Sequence, residues 1–340
     1  MKEYDFGLNW SVKTREVFIN ALKDACQELG LSFFWVSNYN VKEVIKKLES
    51  NELKIKVLLD TEATYNRERD LYARVCYAVK DAGGVVINDP DRARLAVDKS
   101  VTHYELINRG INTPYSVVVR NWEPKSFKLT DEEKERLGVP FVIKPACGYS
   151  RLGVVEEAKG SIREIAAARN FDPGDNFLIQ ERISPIELAR KRAWFRVFHV
   201  FDKIVPCWWD DRTSWYEHVT KDEFENYRLA SLAKIVSKIA EITRMVWFSS
   251  EIAIDNKSGK SRFVVIDYVN DQCDMTAQSY DKTGVPDSVV ECMAFFIVKA
   301  ACKLIRDQEI NKDYTIWLNN GVDVQIRGLP ETPEPLIQAS

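Results

Sequence analysis

The chain has 340 residues, of which 45% are hydrophobic and 29% charged, as expected of a folded globular protein with two or three domains or subdomains. The formal net charge is −3 and no basic run is interleaved with aromatic residues, which argues against a nucleic-acid-binding protein. The seven cysteines form no C-x-x-C pair, so we expect reduced thiols and neither a disulfide framework nor a zinc site.

Targeting and membrane signals are also absent from the sequence. The N-terminal segment lacks the apolar core of a signal peptide. The longest apolar run is interrupted by Lys299 and is too short to span a bilayer, so it is interpreted as a buried helix. Together with the reduced thiols, these features predict a cytoplasmic protein without a membrane partner.

Within the first third of the chain, strand and helix patterns alternate. The predicted helices are residues 15–30, 40–50 and 67–83, and the predicted strands are residues 31–36, 54–59 and 84–89. This alternation predicts an α/β domain with a parallel sheet. Because no G-x-G-x-x-G motif is present, the domain is not interpreted as a dinucleotide-binding unit.

The middle of the chain has a different pattern. A helical stretch at residues 89–111 precedes four short strands, and a second helix is expected at 161–170. The predicted strands are residues 115–120, 141–144, 154–158 and 176–183. Their order and spacing predict a small α+β lobe with antiparallel strands.

The last third begins with two long strands and ends in a segment with three prolines within six residues. The expected elements are strands at 193–203 and 204–210, a helix at 229–246, a hairpin at 247–271 that turns at 256–260, and a helix at 288–305. The proline-containing end is predicted to be a loose tail.

The segment PFVIKPACGYSRLGVV places Lys144 at the end of an apolar strand. Pro145 follows at once and cannot donate to a sheet ladder, so the strand should stop there. A lysine in this position can simply extend to water. A loop of small and polar residues can also close over phosphates with its backbone N–H groups. The segment alone leaves both interpretations open.

Acidic residues interrupt both strands of the predicted hairpin. Glu251 and Asp267 each adjoin apolar residues, and Asn270 and Asp274 follow the second strand. A carboxylate on a buried strand is costly unless it is paired or binds a cation. Carboxylate and amide oxygens are ligands that Mg²⁺ accepts, so a metal site is one hypothesis. The alternative is an ion pair within the sheet, which we favour for Asp255 beside the turn.

Basic residues flank or interrupt several apolar segments as well. Lys99, Lys144 and Arg196 have this placement, and an arginine fork suits a phosphate or carboxylate. Gln180 and Glu181 end another strand, where the backbone could meet a purine edge or the side chains could be solvated.

Other catalytic arrangements are not found. The sequence has neither a P-loop nor a G-x-S-x-G nucleophile elbow. His103, His199 and His218 lack the spacing of metal ligands, and each is predicted to be structural. The adjacent Trp208 and Trp209 are interpreted as core residues.

In order along the chain, these segments resemble the ATP-grasp superfamily. The matching motifs are DK at the start of a helix, FVIKP with its small-residue loop, QERI at a strand end, and the hairpin strands EIAID and VIDYVND. The resemblance extends over residues 1–300 and is greatest to the branch of D-alanine–D-alanine ligase, glutathione synthetase and ribosomal-protein glutamate ligase. The loop KPACGYSRLGV is similar to the KPxxxGSSxGV pattern of that branch.

The resemblance implies ATP and Mg²⁺, with two ions, as cofactors. The residues it implies for nucleotide binding are Lys99, Lys144, Gly148, Ser150, Gln180, Glu181, Arg182, Ile183 and, for the ribose, Glu187. The residues it implies for magnesium are Glu251, Asp267 and Asn270. Catalytic roles are expected for Lys144 at the phosphates, Arg196 at the intermediate and Arg151 in a mobile loop that closes over the phosphates.

The sequence departs from the family pattern in three places. The family usually has Glu-x-Asn, whereas Asn270 follows Asp267 by three positions, so either a bulge absorbs one residue or the third ligand differs. The extra stretch 184–194 leaves the match at Glu187 open. The usual N-x-x-P-G is replaced by NDQCDM, which indicates a sub-family with its own substrate.

The sequence therefore predicts an α/β N-terminal domain followed by a two-lobed α+β ATP-grasp fold. The expected ranges are 1–97 for the N-terminal domain, 98–183 for the central lobe, 184–325 for the C-terminal lobe and 326–340 for the tail. The expected activity is ADP-forming ligation of a small-molecule carboxylate to an amine, with an amino acid or peptide-like substrate, through an acylphosphate. A carboxylate kinase, a ligase for another nucleophile and a non-catalytic nucleotide-binding regulatory module are the alternatives, and the oligomeric state stays open, a homodimer included.

Overall fold

The structure, a computed structural model, describes residues 1–11, 16–67, 69–306, 314–318 and 322–326. The predicted tail at 326–340 lies outside these ranges, except that residue 326 ends a strand. Within the described ranges, no helix is both long and apolar enough to cross a lipid bilayer.

The N-terminal part forms a four-stranded parallel sheet in the order β2-β1-β3-β4. Its elements are β1 (Lys2–Asn9), α1 (Glu16–Glu28), β2 (Phe33–Val36), α2 (Val41–Glu49), β3 (Leu53–Asp60), α3 (Leu71–Asp81) and β4 (Val85–Ile87). The predicted alternation of strands and helices is confirmed, and the sequence pattern missed only β1. Because β1 and β3 pair in register, their last residues, Asn9 and Asp60, lie side by side at one sheet edge.

The central lobe is a four-stranded antiparallel sheet in the order β5-β8-β6-β7. Its elements, with the two helices that lead into it, are α4 (Pro90–Ala96), α5 (Lys99–Asn108), β5 (Ser116–Val119), α6 (Asp131–Leu137), β6 (Phe141–Pro145), β7 (Val155–Ala158), α7 (Ile162–Arg169) and β8 (Phe177–Gln180). The helical stretch 89–111 is divided into two helices because Asp98 caps α5 with its side chain. Helix α6, which was not predicted, begins with a capping box between Thr130 and Glu133.

The C-terminal lobe contains a seven-stranded sheet, in which the strand order is β15-β14-β11-β12-β16-β17 and β13 pairs with β12. Its elements are β9 (Glu187–Leu188), β10 (Lys191–Arg192), β11 (Trp194–Val200), β12 (Lys203–Trp209), β13 (Tyr216–His218), α8 (Lys221–Asn226), α9 (Ala230–Thr243), β14 (Trp247–Asp255), β15 (Arg262–Asn270), α10 (Asp287–Ile305), β16 (Tyr314–Leu318) and β17 (Val322–Ile326). The predicted hairpin is β14 and β15. Strands β16 and β17 were not predicted.

The N-terminal domain and the C-terminal lobe share a hydrophobic core. Phe18 and Leu22 of α1 belong to the same buried cluster as Met293 and Ile297 of α10, and the two helices pack together. The central lobe has a separate small core around Phe141. The N-terminal domain is therefore held against one face of the C-terminal sheet, and the central lobe is the more independent unit.

Candidate active site

Two buried lysines come from different elements. Lys144 is next to the last residue of β6, and Lys99 is the first residue of α5; they are 9% and 8% exposed. The Lys144 Nζ donates to the carbonyl oxygen of Ile266 at 3.0 Å. The Lys99 Nζ donates to the carbonyl oxygen of Gly148 at 3.1 Å and lies 3.4 Å from Asp267 Oδ1. Both ammonium groups thus reach β15, the strand that carries Asp267, one of the predicted metal ligands.

Burial changes the acid–base properties of Lys144. Its removal from water lowers its pKa to about 8; the Lys99 charge acts in the same direction, and the charges of Asp267 and Glu251 oppose it. An anion placed beside this ammonium would favour its charged form. A negative group beside Lys144 would therefore be stabilised by this ammonium.

Arg196, Glu251 and Asp267 form a row across three neighbouring strands. Glu251 of β14 is the register partner of Arg196 on β11 and of Asp267 on β15, so their side chains share one face of the sheet. The Arg196 Nη2 contacts Glu251 Oε1 at 2.5 Å. This row was predicted as three separate candidates, and the sheet brings them together.

A β-bulge explains the unusual spacing of Asn270. Glu251 pairs with Asp267 whereas Ser249 pairs with Asn270, so β15 contains one more residue than β14 over this stretch. An extra residue in one strand shifts the alternation of its side chains. Asn270 therefore returns to the face that carries Asp267, as the bulge alternative requires, and its role as a metal ligand stays a prediction.

In this row, burial and the neighbouring charges have opposite effects on the pKa values. Burial alone would raise the pKa of Asp267, but Lys99, Lys144 and Arg196 hold it below its usual value. Burial, reinforced by Asp267, raises the pKa of Glu251 despite the contact with Arg196. Burial would lower the pKa of Arg196, yet the Glu251 charge raises it, so this guanidinium stays charged.

The donor set suits magnesium. Asp267 Oδ1 is buried and accepts no hydrogen bond from any described residue; its charge contact with Lys99 is long, at 3.4 Å. In the ranges that the structure covers, no three His, Cys, Asp or Glu side chains form a complete metal site. Two carboxylates and one amide form a partial oxygen set, which Mg²⁺ typically completes with water and phosphate oxygens. The residues present thus fit Mg²⁺ bound together with a phosphate ligand.

Two other acids of the hairpin region have structural partners. Asp255 accepts two hydrogen bonds from Arg262, at 2.8 and 2.9 Å, as the ion-pair interpretation predicts. Asp274 accepts from the backbone N–H of Thr276 at 3.0 Å and shapes the turn after β15. Neither is needed to explain the row formed by Arg196, Glu251 and Asp267.

The loop after β6 is folded toward the sheet. Its residues Ser150 and Arg151 are exposed and have positive φ angles of 50° and 58°. Arg151 donates to the carbonyl oxygen of Asp211, and its guanidinium lies 5.6 Å from the Trp209 ring centroid. Arg196 lies 4.9 Å from the same ring, so the loop arginine and the sheet arginine meet around one tryptophan.

The same loop also contacts the N-terminal domain. Asn66 Nδ2 lies 3.0 Å from Cys147 Sγ, and Arg67 donates to Tyr149 Oη at 2.9 Å. These contacts were missed because the segment between β3 and α3 has no periodic pattern in the sequence. The loop is thus bounded by residues from two different parts of the chain.

A pair of carboxyl groups near Asp267 and Asn270 was also missed. Burial raises the pKa of Asp271 to about 7, and the charge of Asp60 at the end of β3 adds to this effect. Gln272 donates to the carbonyl oxygen of Ala63, which holds the Asp271 segment beside the turn after β3. Asp60 follows the apolar strand KIKVLL, so the argument applied to Asp267 could have found it.

The predicted nucleotide-binding hinge has mixed surroundings. Glu181 is buried; its N–H donates to the Tyr115 carbonyl at 2.8 Å, and its carboxylate pairs with Lys257. Ile183 is buried in the shared core. The remaining side chains have other environments: Gln180 points inward to Ser116 and Tyr268, Arg182 is exposed and contacts Glu157 at 2.6 Å, and Glu187 is exposed on β9 opposite Arg192.

Solved structures share this architecture. D-alanine–D-alanine ligase from Bacillus anthracis complexed with ATP has a TM-score of 0.59 and 15% identity, covering 91% of this chain and 100% of that one. The RimK domain protein ATP-grasp from Sphaerobacter thermophilus has a TM-score of 0.56 and 17% identity over 86% and 98% of the two chains. D-cycloserine synthetase DcsG has a TM-score of 0.60 and 12% identity over 87% and 99%. The chain therefore has the ATP-grasp fold, as its motifs predicted.

Curated relatives match a shorter segment. D-alanine–D-alanine ligases from Nocardia farcinica and Rhodococcus opacus are 38% and 37% identical to the chain over 79 residues. The match spans 23% of this chain and 21% of each relative. No protein-family model matches the sequence.

Proposed function

We propose that the protein is a Mg-ATP-dependent ligase that activates a substrate carboxylate as an acylphosphate and joins it to an amine, releasing ADP and phosphate. The observation that carries the proposal is the row Arg196, Glu251 and Asp267, with Lys99 and Lys144 beside it. The ATP-grasp fold supports it, since the ATP complex of a D-alanine–D-alanine ligase has the same fold.

Lys99 and Lys144 act as fixed cations for the ATP phosphates. Each ammonium already donates to a backbone carbonyl, at 3.1 and 3.0 Å, so little reorganisation is needed when an anion arrives. Preorganised charge of this kind stabilises the transition state of phosphoryl transfer more than flexible surface charge does. Lys144 is held by the rigid strand β6, and Pro145 ends the strand immediately after it.

Glu251, Asp267 and Asn270 would hold magnesium. The metal supplies neutralisation of the charge that spreads over the phosphoryl oxygens. The unsatisfied Oδ1 of Asp267 supports a metal ion at this residue, and two ions are proposed because the resemblance to the ATP-grasp family implies them. A cation beside Glu251 would also reverse the effect of burial and keep that carboxyl ionised.

The reaction has two steps with balanced chemistry. A carboxylate oxygen attacks the γ-phosphorus while the bond to the β,γ-bridging oxygen breaks, which yields acylphosphate and ADP. The amine nitrogen then attacks the acyl carbon, the carbon–oxygen bond breaks and phosphate leaves; the surplus amine proton passes to water. The substrates are therefore a small-molecule carboxylate and an amine.

Arg196 and Arg151 act on the acylphosphate and in its reaction with the amine. Arg196 is oriented by Glu251 at 2.5 Å, and its buried Nε has no partner in the part of the chain that the structure describes. That N–H would donate to the acylphosphate or to the oxyanion formed when the amine attacks. Arg151, with Gly148 and Ser150, closes the loop over the phosphates and keeps water from the acylphosphate.

The base and sugar of ATP would lie at the strand end between the lobes. The backbone from Gln180 through Glu181 and Arg182 to Ile183 would bind the adenine edge, and Glu187 would bind the ribose. The side chains of Gln180 and Glu181 are already hydrogen-bonded inside the protein, and the Glu181 N–H donates to the Tyr115 carbonyl. The Glu181 carbonyl and the backbone groups of Arg182 and Ile183 are therefore the better candidates for the base.

A screen for ADP and phosphate release tests the proposal. Amino acids, small peptides and hydroxy acids are supplied with Mg-ATP, with and without hydroxylamine to trap an acylphosphate. The expected result is carboxylate-dependent ADP release and, with hydroxylamine, a hydroxamate. An acylphosphate product that no nucleophile consumes would indicate the kinase alternative. Nucleotide binding without ADP release from any substrate would favour the regulatory module.

A further inference from the structure

A buried chain of hydrogen bonds runs behind the proposed nucleotide site. Tyr268 is fully buried, and its hydroxyl oxygen lies 2.6 Å from His103 Nδ1 and 3.2 Å from Gln180 Nε2. The same amide nitrogen lies 3.1 Å from Ser116 Oγ, which is 3.0 Å from the carbonyl oxygen of Pro114. The chain thus joins α5, β5, β8 and β15.

One arrangement of protons satisfies every member of this chain. Ser116 donates to a backbone carbonyl and therefore accepts from the Gln180 amide. The second amide hydrogen goes to the Tyr268 oxygen, and the Tyr268 hydroxyl donates to His103 Nδ1 in the tautomer that carries its proton on Nε2; Thr113 Oγ1 lies 3.5 Å from the same ring nitrogen. This requires a neutral histidine; burial, with the charge of Lys144, lowers the pKa of His103 to about 4. Fully satisfied buried networks fix the spacing of the elements that they join.

Three members of this hydrogen-bond chain lie close in sequence to residues of the proposed site. His103 follows Lys99 by one helical turn on α5, and Tyr268 directly follows Asp267 on β15. Gln180 directly precedes Glu181 at the strand end. The Tyr268 ring also lies 5.7 Å from the Lys144 ammonium, within the range of a cation–π contact, and stacks near the His103 ring with centroids 5.8 Å apart.

We propose that Tyr268 is a positioning residue that couples the base-binding strand end to the phosphate lysines and the metal acids. Its hydroxyl fixes α5 and β8 relative to β15, and its ring supports Lys144. Because Tyr268 is buried, it acts through these neighbours and not by touching the reacting atoms. The inference rests on the proposed nucleotide site and adds to it a residue to which the resemblance assigns no role.

The test compares Tyr268→Phe with a matched control. Tyr268→Phe keeps the ring and removes only the hydroxyl. Ser237→Ala removes another buried hydroxyl, which donates to the Ala233 carbonyl at 2.8 Å within α9. Calorimetric titration with Mg-ATP and Mg-GTP measures affinity and base discrimination, and thermal unfolding measures stability.

The expected result is a loss of at least about threefold in Mg-ATP affinity for Tyr268→Phe, the coupling expected of residues in one hydrogen-bond network. The ratio of the Kd for Mg-GTP to the Kd for Mg-ATP should also be smaller in Tyr268→Phe than in wild type. Ser237→Ala should bind both nucleotides like wild type, even where the two variants lose similar stability. His103→Phe removes the hydrogen-bond partner of the Tyr268 hydroxyl and should give the same loss of affinity. In the double variant the two losses should be less than additive. If Tyr268→Phe does not fold, His103→Phe alone tests the inference.

Two results would overturn the inference, and only the second would also contradict the proposed function. If wild type binds Mg-ATP and both Tyr268→Phe and His103→Phe bind it equally well, Tyr268 is only a structural residue, while the proposed function stands. If wild type binds no Mg-ATP, the proposed function fails, and the positioning role fails with it.

Discussion

At the residue scale, burial is the main influence on the charge of Lys144, the residue proposed to bind phosphate. The strand places its ammonium among Ile266, Tyr268 and the charges of Lys99 and Asp267, and burial lowers its pKa to about 8. An unfolded lysine has a pKa of about 10.4. Below pH 8 the folded protein therefore carries a charge that burial disfavours, and this cost disappears as the pH rises from 8 toward 10.4.

The first prediction concerns the pH dependence of nucleotide binding. Bound phosphate should raise the Lys144 pKa, so binding takes up a proton above pH 8 and the Kd for Mg-ATP should rise there, by up to tenfold per pH unit, as proton linkage requires. Calorimetric titration between pH 7 and 9.5 measures it. Lys144→Arg, which stays charged throughout this range, is the control and should lack the rise. A wild-type Kd that stays constant to pH 9.5 would show that Lys144 does not bind the phosphates.

The second prediction separates metal binding from ion pairing. Asp267→Asn should fold, lose turnover and lose the thermal stabilisation that Mg-ATP gives. Asp255→Asn, a change of the same kind in the same hairpin, should keep that stabilisation because the Asp255 carboxylate is paired with Arg262 and not with the proposed metal-binding residues. An ADP-release assay and thermal unfolding with and without Mg-ATP measure these effects in both variants, and chemical denaturation measures their unfolding free energies. An unfolding free energy lower by about 3–5 kcal/mol in Asp267→Asn, the cost of breaking a buried ion pair, would contradict the metal role.

Sequence reasoning was effective for residues that adjoin buried strands. Lys144 and Asp267 could be found because a charge beside an apolar run is costly unless it has a purpose. Arg67 could not be found, because its contact with Tyr149 joins residues that are distant in sequence and lie in loops without periodicity. Asp271 was missed although its neighbour Asn270 was considered, since only the position of the turn after β3 makes it unusual.

At the element scale, the loop after β6 is the part that the proposed chemistry requires to move. It meets the sheet through Arg151 and the N-terminal domain through Tyr149. Gly153 has a φ of 73°, and a Cβ there would lie 2.4 Å from the Phe171 ring, so only glycine fits the end of this loop. The loop thus has one fixed end and exposed residues in the middle.

The third prediction is that nucleotide protects this loop from trypsin. Cleavage after the exposed Arg151 should be fast in the nucleotide-free protein and at least severalfold slower with a non-hydrolysable Mg-ATP analogue. Cleavage after Lys282, in an exposed loop outside the proposed site, serves as the internal reference and should not change. Mass spectrometry of the fragments gives both rates. Equal Arg151 cleavage in the two conditions would mean that this loop does not close over the nucleotide.

Elements were predictable where one periodicity dominated. The parallel sheet, the β14–β15 hairpin and α10 all follow from apolar spacing. Helix α6 has a single buried residue, Leu137, so its sequence DEEKERL shows no apolar stripe, although its capping box was visible. The bulge in β15 could not be predicted from the sequence. An extra residue in a strand cannot be told from a change in ligand spacing until the pairing with the partner strand is known.

At the scale of the whole molecule, the helix α10 joins the N-terminal domain to the C-terminal lobe. It packs on α1 in one core, whereas α2 packs in a different cluster within the N-terminal domain. The sequence shows that α1 and α10 each have an apolar face but not that the two faces meet. The expected boundary at residue 97 therefore divides the chain by sheets and not by cores.

The fourth prediction tests this shared core. Leu22→Ala in α1 should cost about 2–5 kcal/mol, as for other buried leucines, and should speed amide hydrogen exchange in α10 as well as in α1. Val44→Ala in α2 is the control and should speed exchange in the N-terminal sheet with less effect on α10. Exchange followed by mass spectrometry reports each helix. If Leu22→Ala leaves α10 as protected as in wild type, the two parts do not unfold together.

Transfer of oxygen from substrate to phosphate tests the central claim most directly. The carboxylate substrate that the release screen selects is labelled with ¹⁸O in its carboxyl group, and the released phosphate is analysed by mass spectrometry. Attack of the carboxylate on the γ-phosphorus, followed by loss of phosphate to the amine, must leave one labelled oxygen in each phosphate. We expect phosphate with one ¹⁸O per turnover in wild type and no turnover in Asp267→Asn. Unlabelled phosphate formed together with the ligated product would contradict acylphosphate formation at this site.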